Sequence, residues 1–301
     1  MKHILHLAFF LAIQPIFAQQ NKGVEIVYGH KDGLAMTMVM LMPTANSKGK
    51  AIINVVSGAW MSEYAWALKQ EEKVAPYLEA GYTVFNVMHG SQPRYNLQDA
   101  FDDVKRSVRF IRFHAKSLQI DPDKIGIMGE SSGGHLALLV ATTGLDIGIH
   151  SADSINSVSD KVQAVAVLFP PTDFLNYGEE GFSPLGSEQA LKDLGLIALF
   201  DFKQWNERLQ EYEHPSSEVQ LRIAAELSPI YSVSPDDAPT LIVHGDLDDA
   251  VPLQQSESMI AALQQANVPS KLIIKKGEGH GWKDISPEQK LFIGWFDFYL
   301  K

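Results

Sequence analysis

The feature that most constrains the fold of this 301-residue chain is the alternation of short apolar runs with longer helical segments. The later runs are apolar throughout, as expected for strands that are buried on both faces of a parallel sheet. The first two are separated by Lys31-Asp32-Gly33, a turn sequence that indicates an antiparallel start. Strands that alternate with helices predict an α/β fold with one mostly parallel, doubly wound sheet. The predicted strands, about eight in number, are 24–28, 34–42, 51–56, 82–87, 124–128, 162–169, 239–244 and 271–275.

The segments between these strands show helical periodicity. It is clearest over 97–118, where apolar residues recur at spacings of three and four and form one stripe that can pack on the sheet. The stretch 174–227 departs from the alternation of strands and helices, because it is far longer than an ordinary connection between two strands. We interpret it as a cap inserted over the functional site; the alternative is a surface excursion with no role in binding. The predicted helices are 69–80, 97–118, 132–143, 253–266 and 287–300, with helical pieces at 188–200 and 217–227 in the insertion.

The first residues are typical of a secretory signal peptide. Lys2 precedes an apolar run from Ile4 to Ile13, and the small residue Ala18 stands before two glutamines. The apolar run is interrupted too early for a membrane span, which needs about 20 apolar residues. We therefore expect a signal peptide of residues 1–18, a single domain of residues 19–301, and a secreted or periplasmic protein without stable membrane insertion.

Composition excludes several classes of function. The net charge is −11, with 25 Lys and Arg against 36 Asp and Glu, whereas nucleic-acid binding needs clustered positive charge. The chain has no cysteine, which excludes disulfides, thiolate metal sites and a cysteine nucleophile. We expect neither a nucleic-acid partner nor a metal or other cofactor.

The segment Gly129-Glu130-Ser131-Ser132-Gly133 matches Gly-x-Ser-x-Gly, in which a strand turns sharply into a helix and exposes a nucleophilic serine. A predicted apolar strand precedes it and a predicted apolar helix follows it, as the motif requires. Glycine is needed on both sides because bulkier side chains would collide with neighbouring backbone. The helix N-terminus also directs N–H groups to the place where an oxyanion would form. We therefore predict that Ser131 is a nucleophile.

A nucleophilic serine needs a base, and the base needs a carboxylate that orients it. In this arrangement the chain order is Ser, then Asp or Glu, then His. Two buried strands downstream run into polar loops, one with Asp246, Asp248 and Asp249 and the other with His280. His280 is the only histidine after these aspartates and is the predicted base, while the residues alone leave the choice among the aspartates open. The histidines interpreted as structural are His89, His135 and His244.

These residues resemble the α/β-hydrolase superfamily, in particular the bacterial esterase branch related to hormone-sensitive lipase and to feruloyl and acetylxylan esterases. The resemblance covers most of residues 19–301. It rests on Ser57-Gly58-Ala59-Trp60, the segment from Gly129 to Ala137, His244-Gly245-x-x-Asp248-x-x-Val251-Pro252 and Gly279-His280. In that family the acid is the aspartate three positions after the glycine of His-Gly, which implies Asp248 here. The resemblance thus implies the α/β-hydrolase fold and a Ser131–His280–Asp248 triad that forms an acyl-enzyme.

The resemblance also implies an oxyanion hole, with one departure from the family pattern. The family usually carries His-Gly-Gly-x-Trp after its third strand, and this chain reads Val56-Ser57-Gly58-Ala59-Trp60. The donors are backbone N–H groups, so Gly58, Ala59 and Ser132 can still supply them. The absent histidine normally forms hydrogen bonds within this loop, and Val56 leaves open how firmly the loop is held.

The substrate is less constrained. We expect a serine carboxylesterase that hydrolyses short-chain or aromatic acyl esters, on a small molecule or on a polysaccharide. Trp60, Tyr64 and Trp66 follow the oxyanion loop and form either an apolar wall, a sugar-stacking platform or ordinary packing. One alternative is a serine peptidase similar to the prolyl oligopeptidase family, although residues 19–131 are too few for the propeller that those enzymes usually carry. A second alternative is a relative that keeps the fold with weak or no turnover.

Overall fold

The computed structural model describes residues 23–146, 153–184 and 188–301. The predicted signal peptide, residues 1–18, lies outside these residues. In chain order the described residues form β1 (Val24–Lys31), β2 (Leu34–Leu41), β3 (Lys50–Val55), α1 (Tyr64–Glu79), β4 (Tyr82–Val87), α2 (Leu97–Phe113), β5 (Ile125–Glu130), α3 (Ser132–Thr143), β6 (Ala164–Leu168), α4 (Glu188–Asp193), β7 (Gln204–Asn206), β8 (Glu211–Glu213), α5 (Ser217–Glu226), β9 (Thr240–Gly245), α6 (Leu253–Gln265), β10 (Ser270–Lys275) and α7 (Ser286–Tyr299).

The eight longer strands form one sheet in the order β1-β2-β4-β3-β5-β6-β9-β10. The β1–β2 and β2–β4 pairs are antiparallel, and every other neighbouring pair is parallel. The predicted antiparallel start and the predicted mostly parallel sheet are both confirmed. Every residue of β4, β6 and β9 is buried, as expected for strands that are covered on both faces.

Helices cover both faces of the sheet, so the domain is doubly wound. One apolar cluster joins α2, α3 and α6 to the sheet, and a second joins α1 and α7 to the opposite face. The last helix packs very closely on the central strand β5. A Cβ atom placed on Gly126 would lie 2.6 Å from the ring of Phe296, so only glycine permits this approach.

Three expectations about local structure differ from what is observed. Helix α2 ends at Phe113 rather than at 118; beyond it the Ala115 amide donates to the Arg112 carbonyl, three residues back, and the chain continues in turns. Helix α1 begins at Tyr64, five residues before the predicted start. The insertion contains α4, which is shorter than predicted, and the hairpin β7–β8, which was not predicted.

The described residues contain no helix that is both long enough and apolar enough to span a membrane. Within the same residues, no cluster of three or more His, Asp and Glu side chains is arranged to hold a metal ion.

Candidate active site

Ser131 lies at the sharp turn between β5 and α3. Its backbone has φ 51° and ψ −121°, a conformation that costs a non-glycine residue about 1–3 kcal/mol. The turn is possible only because the flanking residues lack side chains. A Cβ atom on Gly129 would lie 2.4 Å from the backbone of Gly133, and one on Gly133 would lie 2.5 Å from the Val55 carbonyl oxygen. The predicted need for glycine at both positions is confirmed.

His280 lies in the loop after β10 and contacts both other residues of the predicted triad. Its Nε2 is 2.9 Å from Oγ of Ser131, and its Nδ1 is 2.8 Å from Oδ2 of Asp248. A carboxylate only accepts hydrogen bonds, so the proton resides on Nδ1 and leaves Nε2 as the acceptor for the Ser131 hydroxyl. The His280 side chain is 27% exposed, whereas that of Asp248 is fully buried.

Asp248 is held by donors on both carboxylate oxygens. Oδ1 accepts from the amides of Ala250 and Val251 at 3.0 and 2.8 Å, and Oδ2 lies 3.2 Å from Nε2 of His244. Burial acts to raise the pKa of Asp248, but the hydrogen bonds from His244, His280 and the Val251 amide outweigh it and hold the pKa well below its usual range. The carboxylate is therefore charged at neutral pH and can orient the imidazole.

The other two aspartates of the same loop do not reach His280. Asp246 accepts from the Gly277 amide at 2.6 Å and lies 3.2 Å from Nζ of Lys276, and Asp249 is exposed. Geometry thus selects Asp248 among the three candidates that the residues alone left open.

The oxyanion loop closes in a tight turn that uses one of its predicted donors. The Gly58 amide donates to the Met61 carbonyl and the Met61 amide donates back to Gly58, both at 2.9 Å. The two residues between them, Ala59 and Trp60, have φ of 48° and 54°, as a turn of this type requires. The prediction that Gly58 supplies an oxyanion donor is therefore wrong for this conformation, because its N–H is already bonded.

Two of the three predicted donors remain. In the part of the chain that the structure describes, neither the Ala59 amide nor the Ser132 amide donates to a protein acceptor. Ser132 is the first residue of α3, where the helix leaves its initial N–H groups without intrahelical partners.

The loop is anchored although Val56 stands where the related family has histidine. The Ser62 hydroxyl donates to the Val56 carbonyl at 2.6 Å, and the Val56 amide donates to Val87 of the neighbouring strand. On the other side, Oγ of Ser57 lies 2.9 Å from Oγ of Ser132 and 2.9 Å from Nε2 of His89. Other side chains thus provide the tethers that the absent histidine would provide.

Trp60 is part of the core and not a platform for substrate. It is 7% exposed, and its ring packs on Phe174 and Phe200 with centroids 5.8 and 6.2 Å apart. Its Nε1 donates to Nδ1 of His135 at 3.0 Å, and Nε2 of His135 donates to the Leu227 carbonyl at 2.8 Å. The predicted substrate-binding role of Trp60 is corrected to a structural one, in which it ties the oxyanion loop to α3 and to the insertion.

Tyr64 and Trp66 are placed differently. Tyr64 begins α1 and is 43% exposed. Trp66 is half-buried, and its ring edge lies 3.4 Å from where a Cβ atom on Gly58 would stand. Trp66 therefore lies partly accessible beside the oxyanion loop, whereas the Tyr64 hydroxyl lies beside the Glu25 carboxylate of β1.

From the burial of His135 we predict that the stability of the fold falls in acid. Burial lowers the pKa of this histidine to about 4, although the hydrogen bond to Leu227 acts in the opposite direction; in an unfolded chain the pKa is about 6.5. The pKa of His135 is lower in the folded chain than in the unfolded chain. The contribution of neutral His135 to the stability of the fold is therefore fully present above pH about 6.5 and is lost as the pH falls from about 6.5 to about 4. We expect the free energy of unfolding, measured by urea titration, to fall across this window, and to fall less steeply in His135→Gln. Identical slopes in the two proteins would contradict this assignment.

Phe169 is a residue of the site that sequence reasoning missed. It follows β6 with φ 38°, and its ring lies 4.6 Å from that of His280 and 5.7 Å from that of Trp282. It packs against the imidazole and limits its movement. Only its position just after a buried strand distinguishes it from an ordinary core residue.

Comparison with known proteins identifies relatives of the chain. The family described as BD-FAE matches residues 38–263, three quarters of the chain. A probable carboxylic ester hydrolase, LipM of Mycobacterium tuberculosis, is 31% identical over 250 residues, which cover 81% of this chain and 52% of the relative. The isoprenylcysteine alpha-carbonyl methylesterase of Arabidopsis thaliana is 24% identical and covers 90% of this chain and 58% of its own length. The chain thus spans about half the length of the curated relatives that it matches.

Solved structures confirm the fold. An acetyl ester-xyloside bifunctional hydrolase from Caldicellulosiruptor lactoaceticus superposes with a TM-score of 0.72 at 23% identity, covering 93% of this chain and 98% of that one. A carbohydrate esterase from gut microbiota superposes with a TM-score of 0.73 at 24% identity, covering 94% and 98%. At these identities the similarity establishes a shared architecture.

Proposed function

We propose, from the premise that the chain belongs to the BD-FAE family and has the α/β-hydrolase fold, that it is a serine carboxylesterase acting through Ser131, His280 and Asp248. The observation that carries the proposal is the continuous hydrogen-bonded series from the Ser131 hydroxyl through His280 to a buried, charged carboxylate. The names of the relatives, which include a carboxylic ester hydrolase and an esterase, support the same reaction class.

The proposed mechanism follows from the proton positions. Nε2 of His280 takes the proton of the Ser131 hydroxyl while Oγ attacks the ester carbonyl, and Asp248 stabilises the imidazolium that forms. The amides of Ala59 and Ser132 donate to the developing oxyanion, and each such donor is worth about 3–4 kcal/mol in the transition state. His280 returns the proton to the departing alcohol. It then deprotonates a water molecule that releases the acid and regenerates Ser131.

The proposed substrates are short-chain or aromatic acyl esters, carried by a small molecule or by a polysaccharide. The titles of the two structural neighbours, an acetyl ester-xyloside hydrolase and a carbohydrate esterase, support the polysaccharide link. The basic and apolar start of the sequence supports export, with residues 1–18 as a signal peptide and 19–301 as the mature domain. Neither a nucleic acid nor a resident metal enters the proposal.

We further propose that the insertion, residues 174–227, acts as a cap. The Leu199 carbonyl accepts from the Leu97 amide at the start of α2, and Phe174 and Phe200 pack on Trp60. These contacts support a position beside the oxyanion loop. Tyr64 and Trp66 are the proposed substrate contacts.

The test compares ester and amide substrates on the mature chain. We expect hydrolysis of p-nitrophenyl acetate and butyrate, much slower release of p-nitroaniline from proline-linked amides, and labelling of Ser131 by a fluorophosphonate. Amide cleavage at rates that rival ester cleavage would instead indicate a peptidase. A folded protein that is neither labelled nor active on esters would favour a binding role without turnover.

A further inference from the structure

We propose that His89 is a positioning residue which, through the Ser57 hydroxyl, holds the two halves of the oxyanion hole in register. The two halves are the loop 57–61 and the N-terminus of α3. The inference deepens the proposed ester hydrolysis and rests on it.

A short series of hydrogen bonds connects the two halves. Oγ of Ser57 lies 2.9 Å from Oγ of Ser132 and 2.9 Å from Nε2 of His89. Ser132 carries one of the two free amides, and Ser57 stands two residues before Ala59, which carries the other. The hydroxyl pair therefore bridges the backbone segments that supply the donors.

The hydrogen bond between His89 and the Gly90 carbonyl, at one end of the series, fixes the direction of the others. Nδ1 of His89 lies 2.8 Å from the Gly90 carbonyl oxygen, which can only accept, so the proton resides on Nδ1. Burial lowers the pKa of His89 to about 4, so the ring is neutral near pH 7 and Nε2 is an acceptor. The Ser57 hydroxyl must then donate to His89, and the Ser132 hydroxyl must donate to Ser57. No alternative arrangement satisfies all three groups.

The residue next to His89 is held by a partly buried ion pair. The Gly90 amide donates to Oδ2 of Asp103 at 2.8 Å, and Oδ1 of Asp103 lies 2.6 Å from Nζ of Lys31. The Asp103 side chain is 3% exposed and belongs to α2. The loop after β4 is thereby joined to a helix, which gives His89 a rigid base.

Sheet topology explains why the His89 side chain can reach Ser57. Strand β4 pairs with β3 in parallel, so the residues that follow the two strands lie side by side. A histidine after β4 can therefore contact the loop after β3, although it is 32 residues away in sequence. Misplacement of a catalytic group by about 1 Å can cost about a hundredfold in rate, so a tether between the two donor segments has a measurable effect.

The test uses a matched pair of substitutions at His89. The side chain of His89→Asn can reach the Gly90 carbonyl but is too short for Ser57, whereas that of His89→Gln can place an acceptor near the position of Nε2. We expect His89→Asn to lower kcat for p-nitrophenyl acetate by roughly ten- to a hundredfold with little change in KM, and His89→Gln to recover much of the loss. Ser57→Ala should lower kcat to a similar extent. The double variant His89→Asn/Ser57→Ala should be no slower than the slower single variant, because both break one series.

Several results would overturn the proposal. Unchanged kcat in His89→Asn, with or without a lower melting temperature, would show that His89 has only a structural role. Losses that multiply in the double variant would show that the two side chains act separately.

One measurement does not depend on turnover. Nitrogen-15 spectra of the histidines at neutral pH should show His89 neutral with its proton on Nδ1, identified by the signals lost in His89→Gln. A proton on Nε2 would contradict the series even in a protein that hydrolyses esters. A wild-type chain that hydrolyses no ester but shows the Nδ1 proton would instead count against the proposed function alone.

Discussion

Replacing Ser131 with alanine is expected to lower kcat for p-nitrophenyl acetate by on the order of 10⁶-fold, as in serine triads generally. In the proposed mechanism the hydroxyl oxygen is the atom that attacks, and His280, whose Nε2 lies 2.9 Å from Oγ, acts as its base. The amides of Ala59 and Ser132 stay in place, so a small residual rate above that of water should survive. Initial rates over a range of substrate concentrations give kcat and KM separately.

A surface serine provides the matched control for this variant. The Ser117 hydroxyl donates to the His114 carbonyl on the exposed side of the chain, and Ser117→Ala should be fully active. Melting temperatures of both variants should remain close to that of the wild type. Equal rates in Ser131→Ala and wild type would show that another group performs the hydrolysis.

Replacing Asp248 with asparagine is expected to lower kcat by on the order of 10⁴-fold. Asparagine fills the same volume but removes the charge that stabilises the imidazolium, and its amide can favour the proton on Nε2 of His280. That tautomer cannot accept the proton of Ser131. The loss should appear in kcat, because the Asp248 side chain is fully buried and acts through His280.

The neighbouring aspartates are the controls for the acid. Asp246→Asn and Asp249→Asn change the charge of the same loop by the same amount, and we expect both to stay within a few-fold of wild type. Asp246 bonds to Gly277 and Lys276 instead of to His280. A loss in Asp249→Asn that equals the loss in Asp248→Asn would show that the loop rearranges and that the acid is misassigned.

Much of the fold follows from the sequence because burial on both faces leaves an unambiguous signature. Each strand of the main sheet overlaps a predicted one. The end of α2 was misplaced because Ala115 and Leu118 continue the helical spacing although they lie in turns. The hairpin β7–β8 was missed because its strands have three residues each and none of them is buried, so no apolar pattern marks them.

The candidate site, too, could be predicted from the sequence only in part. The motif around Ser131 and the order of the later loops predict Ser131 and His280, whereas the choice of Asp248 came from the family resemblance; the structure brings the three residues together. The sequence does not show that the Gly58 amide is used within its own turn, because this depends on two consecutive residues with positive φ. Nor does it show the contact of His89 with Ser57, which needs the order of strands in the sheet. The sequence also could not decide among the roles considered for Trp60, because an aromatic residue beside a catalytic loop can be buried in the core or open to substrate.

The close packing of α7 on Gly126 of β5 has a consequence for the chain as it is made. The strand that leads into Ser131 completes its packing only after Phe296 has been synthesised, and His280 comes 149 residues after the serine. At about 5–20 residues per second, a ribosome needs roughly 7–30 s to cover that distance. During this time the nascent polypeptide carries Ser131 without its proposed base, and for most of it without Asp248 as well. On the proposed mechanism, activity is expected only when folding is complete, and a partly made chain is expected to hydrolyse no ester.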